Sequence, residues 1–267
     1  MRDNSATNAS AFRHGFVASF PHITHLTLTC RFGRGLSQLT HLIEMLCLFS
    51  ALQDLQLAEI STFVDVDSVP ATGVPPQNLC SLTLAAGSAG LILAWLRLVG
   101  RPPNMRSLTL SLLRHDDAAA VKAALEDFGD ALHHLDITVS FSLSLSSGFY
   151  SDPLRVFNLS LLSALTLLTI RDPSAPRTWD PNLLSRLLLA LPAPSPSLRS
   201  ISLELALSSY RNIEWDVLDA FLSSEARFPV LETVLLRLHH PIYCKLVGGA
   251  LPLLNARGVL RSEWRGY

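Results

Sequence analysis

An L-x-x-L-x-L skeleton recurs along almost the whole of this chain, and its spacing leaves few folds open. The pattern is first met in residues 20–29, FPHITHLTLT, where Ile23, Leu26 and Leu28 are the apolar positions. With the second apolar position as anchor, copies fall at Leu26, Leu55, Leu82, Leu108, Leu135, Leu168, Ile201 and Val234. Successive anchors lie 29, 27, 26, 27, 33, 33 and 33 residues apart. Self-similarity with a period of roughly 20–50 residues marks a solenoid or another repeat array. A lone unit has nothing to cover its apolar edge, so the units must stack to offset their chain entropy.

Most repeat cores are followed by a turn and then by a helical pattern. Leu36, Leu39, Ile43 and Leu46 fall on one helical face. Ser88 is the expected cap of a helix that turns Leu91, Ile92, Trp95 and Leu96 inward and stops before Gly100. Asp116 or Asp117 caps a helix carrying Val121, Ala124, Leu125 and Phe128, with Gly129 as its stop. Asp180 and Pro181 start a helix with the stripe Leu184, Leu187, Leu188 and Leu191. Asn212 precedes another with Val217, Leu218, Phe221 and Leu222 inward. Val247, Ala250, Leu251 and Leu254 keep the spacing, Pro252 kinks or ends that helix, and residues 258–264 predict a closing strand. Residues 60–78 read as a loop, and the Ser-rich residues 139–160 as a loop with an extra short strand at Phe141, Leu143 and Leu145. The expected fold is α/β: a single-domain solenoid of about eight irregular leucine-rich repeats over residues 20–267, strands on the concave side and helices on the convex side. Residues 1–19 are expected to form a disordered tail.

Composition supports a continuous core, with 49% hydrophobic and 16% charged residues among 267. The formal net charge of −1 argues against sequence-independent binding to nucleic acid, which needs clustered Lys and Arg. Cys30, Cys47, Cys80 and Cys244 form no C-x-x-C pair and read as reduced thiols. Residues 1–19 lack the apolar stretch of a secretory signal, so an intracellular protein is expected. Residues 79–96 are 18 uncharged residues, long enough for a membrane span. They also hold a repeat core, a Gly-Ser-Ala-Gly break and a helical pattern in register with the neighbouring units, so no membrane is expected.

Strand side chains alternate, and the residues between the core leucines must face away from the helices. The candidate protein-binding residues on that face are His25, Thr27, Asp54, Gln56, Thr83, Thr109, His134, Asp136, Thr169, Arg171, Ser202, Glu204 and Arg237. Small hydroxyls occupy its middle and charges its two ends. A solvated sheet face using Thr and Ser for strand propensity would look the same residue by residue. His133, His134 and Asp136 suggest a relay, but no nucleophile is placed by the sequence. His239 and His240 have no second ligand pair. Phosphate loops, G-x-S-x-G and H-E-x-x-H are absent from the sequence. The expectation is a non-enzymatic protein-recognition scaffold without cofactor or metal. The alternative is an α/β ligand-binding or enzymatic domain whose site the sequence does not reveal.

The segments FPHITHLTL, FPVLETVLL and LPLLNARGVLRSEW resemble the leucine-rich-repeat-like region of fungal F-box proteins, over about residues 20–265. That resemblance implies a ubiquitin ligase adaptor, in which an F-box docks on Skp1 and the repeats capture a protein substrate. Only nineteen residues, rich in polar side chains, precede Phe20 and do not read as an F-box, so Skp1 is an expected partner only where an F-box is supplied upstream. Ordinary leucine-rich repeats also carry Asn or Cys three residues after the last core Leu. This chain has Arg31, Ile60, Gly87, Leu113, Ser140, Pro173, Ala206 and His239 there, so its turns are expected to vary.

Overall fold

The structure, a computed structural model, describes residues 15, 19–20, 22–29, 36–58, 73–85, 88–100, 104–111, 113, 115–138, 156–172, 183–205, 214–238 and 241–264. It is α/β, a nine-stranded parallel sheet alternating with helices. The strands are β1 (His25–Thr29), β2 (Asp54–Ala58), β3 (Ser81–Ala85), β4 (Ser107–Ser111), β5 (His134–Thr138), β6 (Leu167–Asp172), β7 (Ser200–Leu205), β8 (Thr233–Leu238) and β9 (Leu260–Trp264). They lie side by side in chain order. The described helices are α1 (Leu36–Cys47), α2 (Ala89–Leu98), α3 (Ala118–Phe128), α4 (Leu183–Leu189), α5 (Trp215–Leu222), α6 (Pro241–Ala250) and α7 (Pro252–Ala256).

The repeat anchors fall in register. Leu26 pairs with Leu55, Leu55 with Leu82, Leu82 with Leu108, and so on to Val234 against Leu260. One backbone acceptor sets each step. The carbonyl two residues ahead of the anchor accepts two consecutive N–H groups from the next unit, at Thr24, Gln53, Cys80, Arg106, His133, Thr166 and Arg199, with distances of 2.8 to 3.1 Å. This sharing satisfies the strand starts without an Asn ladder, because a carbonyl has two lone pairs. At the last junction Gly258 and Val259 N–H turn back to the Asn255 and Leu254 carbonyls instead.

Fixed register puts all three leucine positions of each unit into one core. Leu79, Leu82 and Leu84 are fully buried, as are the helix residues Leu93, Trp95 and Leu96 that follow them in α2. Each buried Leu contributes roughly 1.5–3 kcal/mol. Among the described residues strand β1 has a neighbour on one side only, and Leu26 and Leu28 are partly buried. The described part of residues 79–96 holds β3 and most of α2, and among the described residues no helix is long and apolar enough to cross a membrane.

Several local expectations change. Ser88 stands at the N-cap position of α2 but its hydroxyl donates to the Ala85 carbonyl at 2.8 Å. The cap comes from the next unit: Asp117 Oδ1 accepts from Gly90 N–H at 2.9 Å. Gly129 follows α3 in right-handed geometry, so it is not there for a left-handed turn. A Cβ at that position would stand 2.6 Å from the Leu161 carbonyl oxygen, so close packing requires glycine. Val217 is exposed, not inward; Asp219 takes the buried place and accepts from Leu253 and Leu254 N–H at 2.8 and 2.9 Å, capping α7. Pro252 begins α7 after a break at Leu251, as the sequence leads one to expect. The expected strand at 141–145, the helix caps at Asp180 and Asn212, residues 60–72 and most of 1–19 lie outside the described residues.

Leu108→Ala removes a fully buried anchor and is expected to cost about 2–5 kcal/mol of unfolding free energy in urea titrations. Asp219→Ala strips the part-buried Leu253 and the buried Leu254 N–H groups of their acceptor and is expected to cost about 1–3 kcal/mol in the same assay.

Candidate binding surface on the polar sheet face

The residues between the core leucines share the face of the sheet opposite the apolar core, and strand pairing arranges them in rows. The row before the anchors runs from His25 through Asp54, Ser81, Ser107 and His134 to Leu167, Ser200 and Thr233. The row after them runs Thr27, Gln56, Thr83, Thr109, Asp136, Thr169, Ser202, Leu235 and Arg261. A third row aligns Thr138, Arg171, Glu204, Arg237 and Glu263 across the last five strands. Every candidate residue named from the sequence therefore lies on one continuous face.

Environment changes along it. At the β1 end His25, Thr27 and Gln56 are exposed, with Thr24 Oγ1 2.8 Å from His25 Nδ1 and Thr27 donating to Gln56 Oε1 at 3.4 Å. Thr83 and Thr109 in the middle are half-buried. Toward β7 the hydroxyls sink: Thr138 and Thr169 are 7% exposed and Ser202 5%.

The charged residues concentrate where the face is most buried. Arg171 Nη2 donates to Asp136 Oδ2, and Arg237 Nε lies 3.6 Å from Glu263 Oε2. Glu204 is in register between Arg171 and Arg237. Signs thus alternate along the third row, Arg171, Glu204, Arg237, Glu263, with Asp136 joined from the neighbouring row. Burial pushes the Asp136 carboxyl above the usual carboxylate range, outweighing the hydrogen bond and charge of Arg171; Glu204 raises it further and Arg237 opposes. Asp136 Oδ1, Arg171 Nε and Ser202 Oγ are buried without a hydrogen bond. The cluster therefore offers an acceptor and donors to a polar group that reaches it.

The sequence places charge at two ends of the face but does not join it into a ladder. Glu263 is missed because the closing strand lies outside the eight-copy pattern; the alternation of Arg261 and Glu263 in that strand was the available signal. His134 is exposed and shares the face with Asp136, while His239 and His240 lie outside the described residues. Among the described residues no group of three or more His, Cys, Asp or Glu is placed to hold a metal ion. Cys47 and Cys80 are half-buried free thiols; burial, then Glu44, pushes the Cys47 thiol up, and Cys80 Sγ lies 3.6 Å from the Gln53 carbonyl.

The raised Asp136 carboxyl fixes the sign of a pH effect. The folded chain holds this proton more tightly than the unfolded one, so ionising it costs stability as pH rises from the unfolded value through the folded one. Asp136→Asn is expected to gain stability relative to the parent chain as pH rises from acid to neutral, read from urea unfolding across that range. A constant difference at all pH values would contradict it.

The chain matches no family model and no curated protein.

Proposed function

We propose that this chain is a non-enzymatic protein-recognition scaffold that binds its partner through the polar sheet face. In this reading the α/β units form a leucine-rich-repeat solenoid, strands concave and helices convex, similar to the substrate-binding region of an F-box adaptor. One observation carries it: polar and charged side chains from successive strands are held in register on one face, while the leucines between them are committed to the core. A repeat array offers such an extended face to a partner. Charges that are already partly desolvated and paired cost less to bury again, and Arg is a frequent hot-spot residue. Arg171 and Arg237 are the expected anchors, with Asp136 and Glu204 setting which charges are accepted.

A second reading draws on the same cluster. The buried polar atoms of Asp136, Arg171 and Ser202 that lack hydrogen bonds would also suit a small polar ligand in an α/β binding domain.

Random-peptide display on the immobilised chain separates the two. Selected peptides are expected to lose about tenfold or more in affinity on Arg171→Ala or Arg237→Ala. They should bind Lys122→Ala, altered on α3, unchanged. Peptides indifferent to both arginine variants would refute the proposed face. The ligase connection belongs to the same proposal. The 267-residue chain is expected not to co-purify with Skp1, and fusion of an F-box ahead of it is expected to produce a complex.

A further inference from the structure

Strand β9 departs from the pattern that every other strand obeys. In the row occupied by Leu203 of β7 and Leu236 of β8 it carries Ser262. Arg261, Ser262, Glu263 and Trp264 are all exposed, Trp264 at 57%. Among the described residues no strand pairs with its outer edge. A polar residue in the apolar row marks a strand that is not built to be covered by another leucine-bearing unit, whereas its backbone edge, touched by the Arg261 guanidinium only at the Leu260 carbonyl (3.4 Å), is a template for pairing with another chain.

We propose that β9 pairs antiparallel with β9 of a second copy of this chain, on a two-fold axis through Ser262. Backbone phase allows it. Val234 N–H donates to the Val259 carbonyl and Val234 pairs with Leu260. In a parallel ladder of that phase Arg261 and Glu263 turn their backbone groups toward β8, and Leu260, Ser262 and Trp264 turn theirs to the outer edge. Antiparallel pairing through the edge must therefore match those three with one another. Centring on Arg261 sets two arginines opposite each other, and centring on Glu263 sets two glutamates, both unfavourable. Centring on Ser262 pairs Ser262 with itself and Leu260 with Trp264 of the second copy in hydrogen-bonded positions. Arg261 then faces Glu263 of the second copy, in the closely spaced positions and twice by symmetry.

The two sides of the strand are equally complementary. Arg261 and Glu263 lie on the polar face, in register with Leu235 and Arg237. Leu260 and Trp264 lie on the side of Val234 and Leu238, where Leu260–Trp264 contacts would cover the exposed indole. The same final unit leaves Leu246 at 61% and Leu253 at 50% exposure, further apolar surface for an interface. The other edge, β1, offers His25, Thr27 and Thr29 on its polar face, with no carboxylate to pair with Arg261 and no Lys or Arg to pair with Glu263. Head-to-tail stacking is therefore disfavoured against the two-fold pair. The dimer would set two polar faces side by side on one continuous sheet, so a partner with two copies of its determinant would be held bivalently.

Sedimentation equilibrium of the full chain tests this. A reversible dimer is expected, with a dissociation constant on the order of micromolar for an interface built on one strand edge. Glu263→Arg and Arg261→Glu, each placing like charges opposite, are expected to weaken it about tenfold or more, and the double exchange to restore it. Ser262→Pro removes an outward N–H without touching the β8–β9 ladder and is expected to give a monomer with unchanged circular dichroism. A parent chain that stays monomeric, single variants that dimerise like the parent, or open-ended association sensitive to β1 and not to β9 would each overturn the proposal.

Discussion

One backbone carbonyl per unit, shared between two N–H groups of the next, is the contact on which the rest of this structure depends. It sits two residues ahead of the anchor leucine at seven successive junctions, though the intervening segments differ in length and content. Because the strand period is two residues, a slip of one position would carry every leucine to solvent and every polar residue into the core. The repeated acceptor prevents that slip while the connections vary. A side-chain ladder of Asn would have required one residue type at each turn, whereas the backbone carbonyl makes no such demand on the sequence.

Once register is fixed, helices are tied to the neighbouring unit as well as to their own. Asp117 stands at the start of α3 yet accepts from the first turn of α2, and Asp219 lies within α5 yet accepts from the start of α7. Arg257, just after α7, donates to the carbonyls of Ser223 and Phe228 beside α5. The two aspartates satisfy N–H groups at helix starts, and Arg257 reaches the carbonyl at the C-terminal end of α5, Ser223. Such contacts couple adjacent units, so that loss of one is felt beyond its own repeat.

The same register assembles the charge ladder on the polar face. Arg171, Glu204, Arg237 and Glu263 come from strands whose anchors are about one repeat apart in sequence, yet they stand side by side. Partial burial strengthens their mutual electrostatics and raises the cost of leaving any one uncompensated. It also holds the Asp136 carboxyl closer to its neutral form than a surface carboxylate, despite the adjacent guanidinium. The exposed His25, Thr27 and Gln56 at the other end carry no comparable constraint.

The leucine rows, the helix stripes such as Leu184, Leu187 and Leu188, and the membership of the polar face follow from the sequence, because strand and helix periods act within a few residues. Asp117 and Asp219 as caps of other helices, Gly129 as a close-packing residue and exposed Val217 do not. The aspartates and Gly129 depend on elements about one repeat away, and local spacing points to Ser88 as a cap because it cannot see Asp117. The chain alone therefore determined the leucine core and which face is polar. Only the tertiary structure decided which polar residues meet, since charges a repeat apart become neighbours only after parallel pairing has fixed the register between strands.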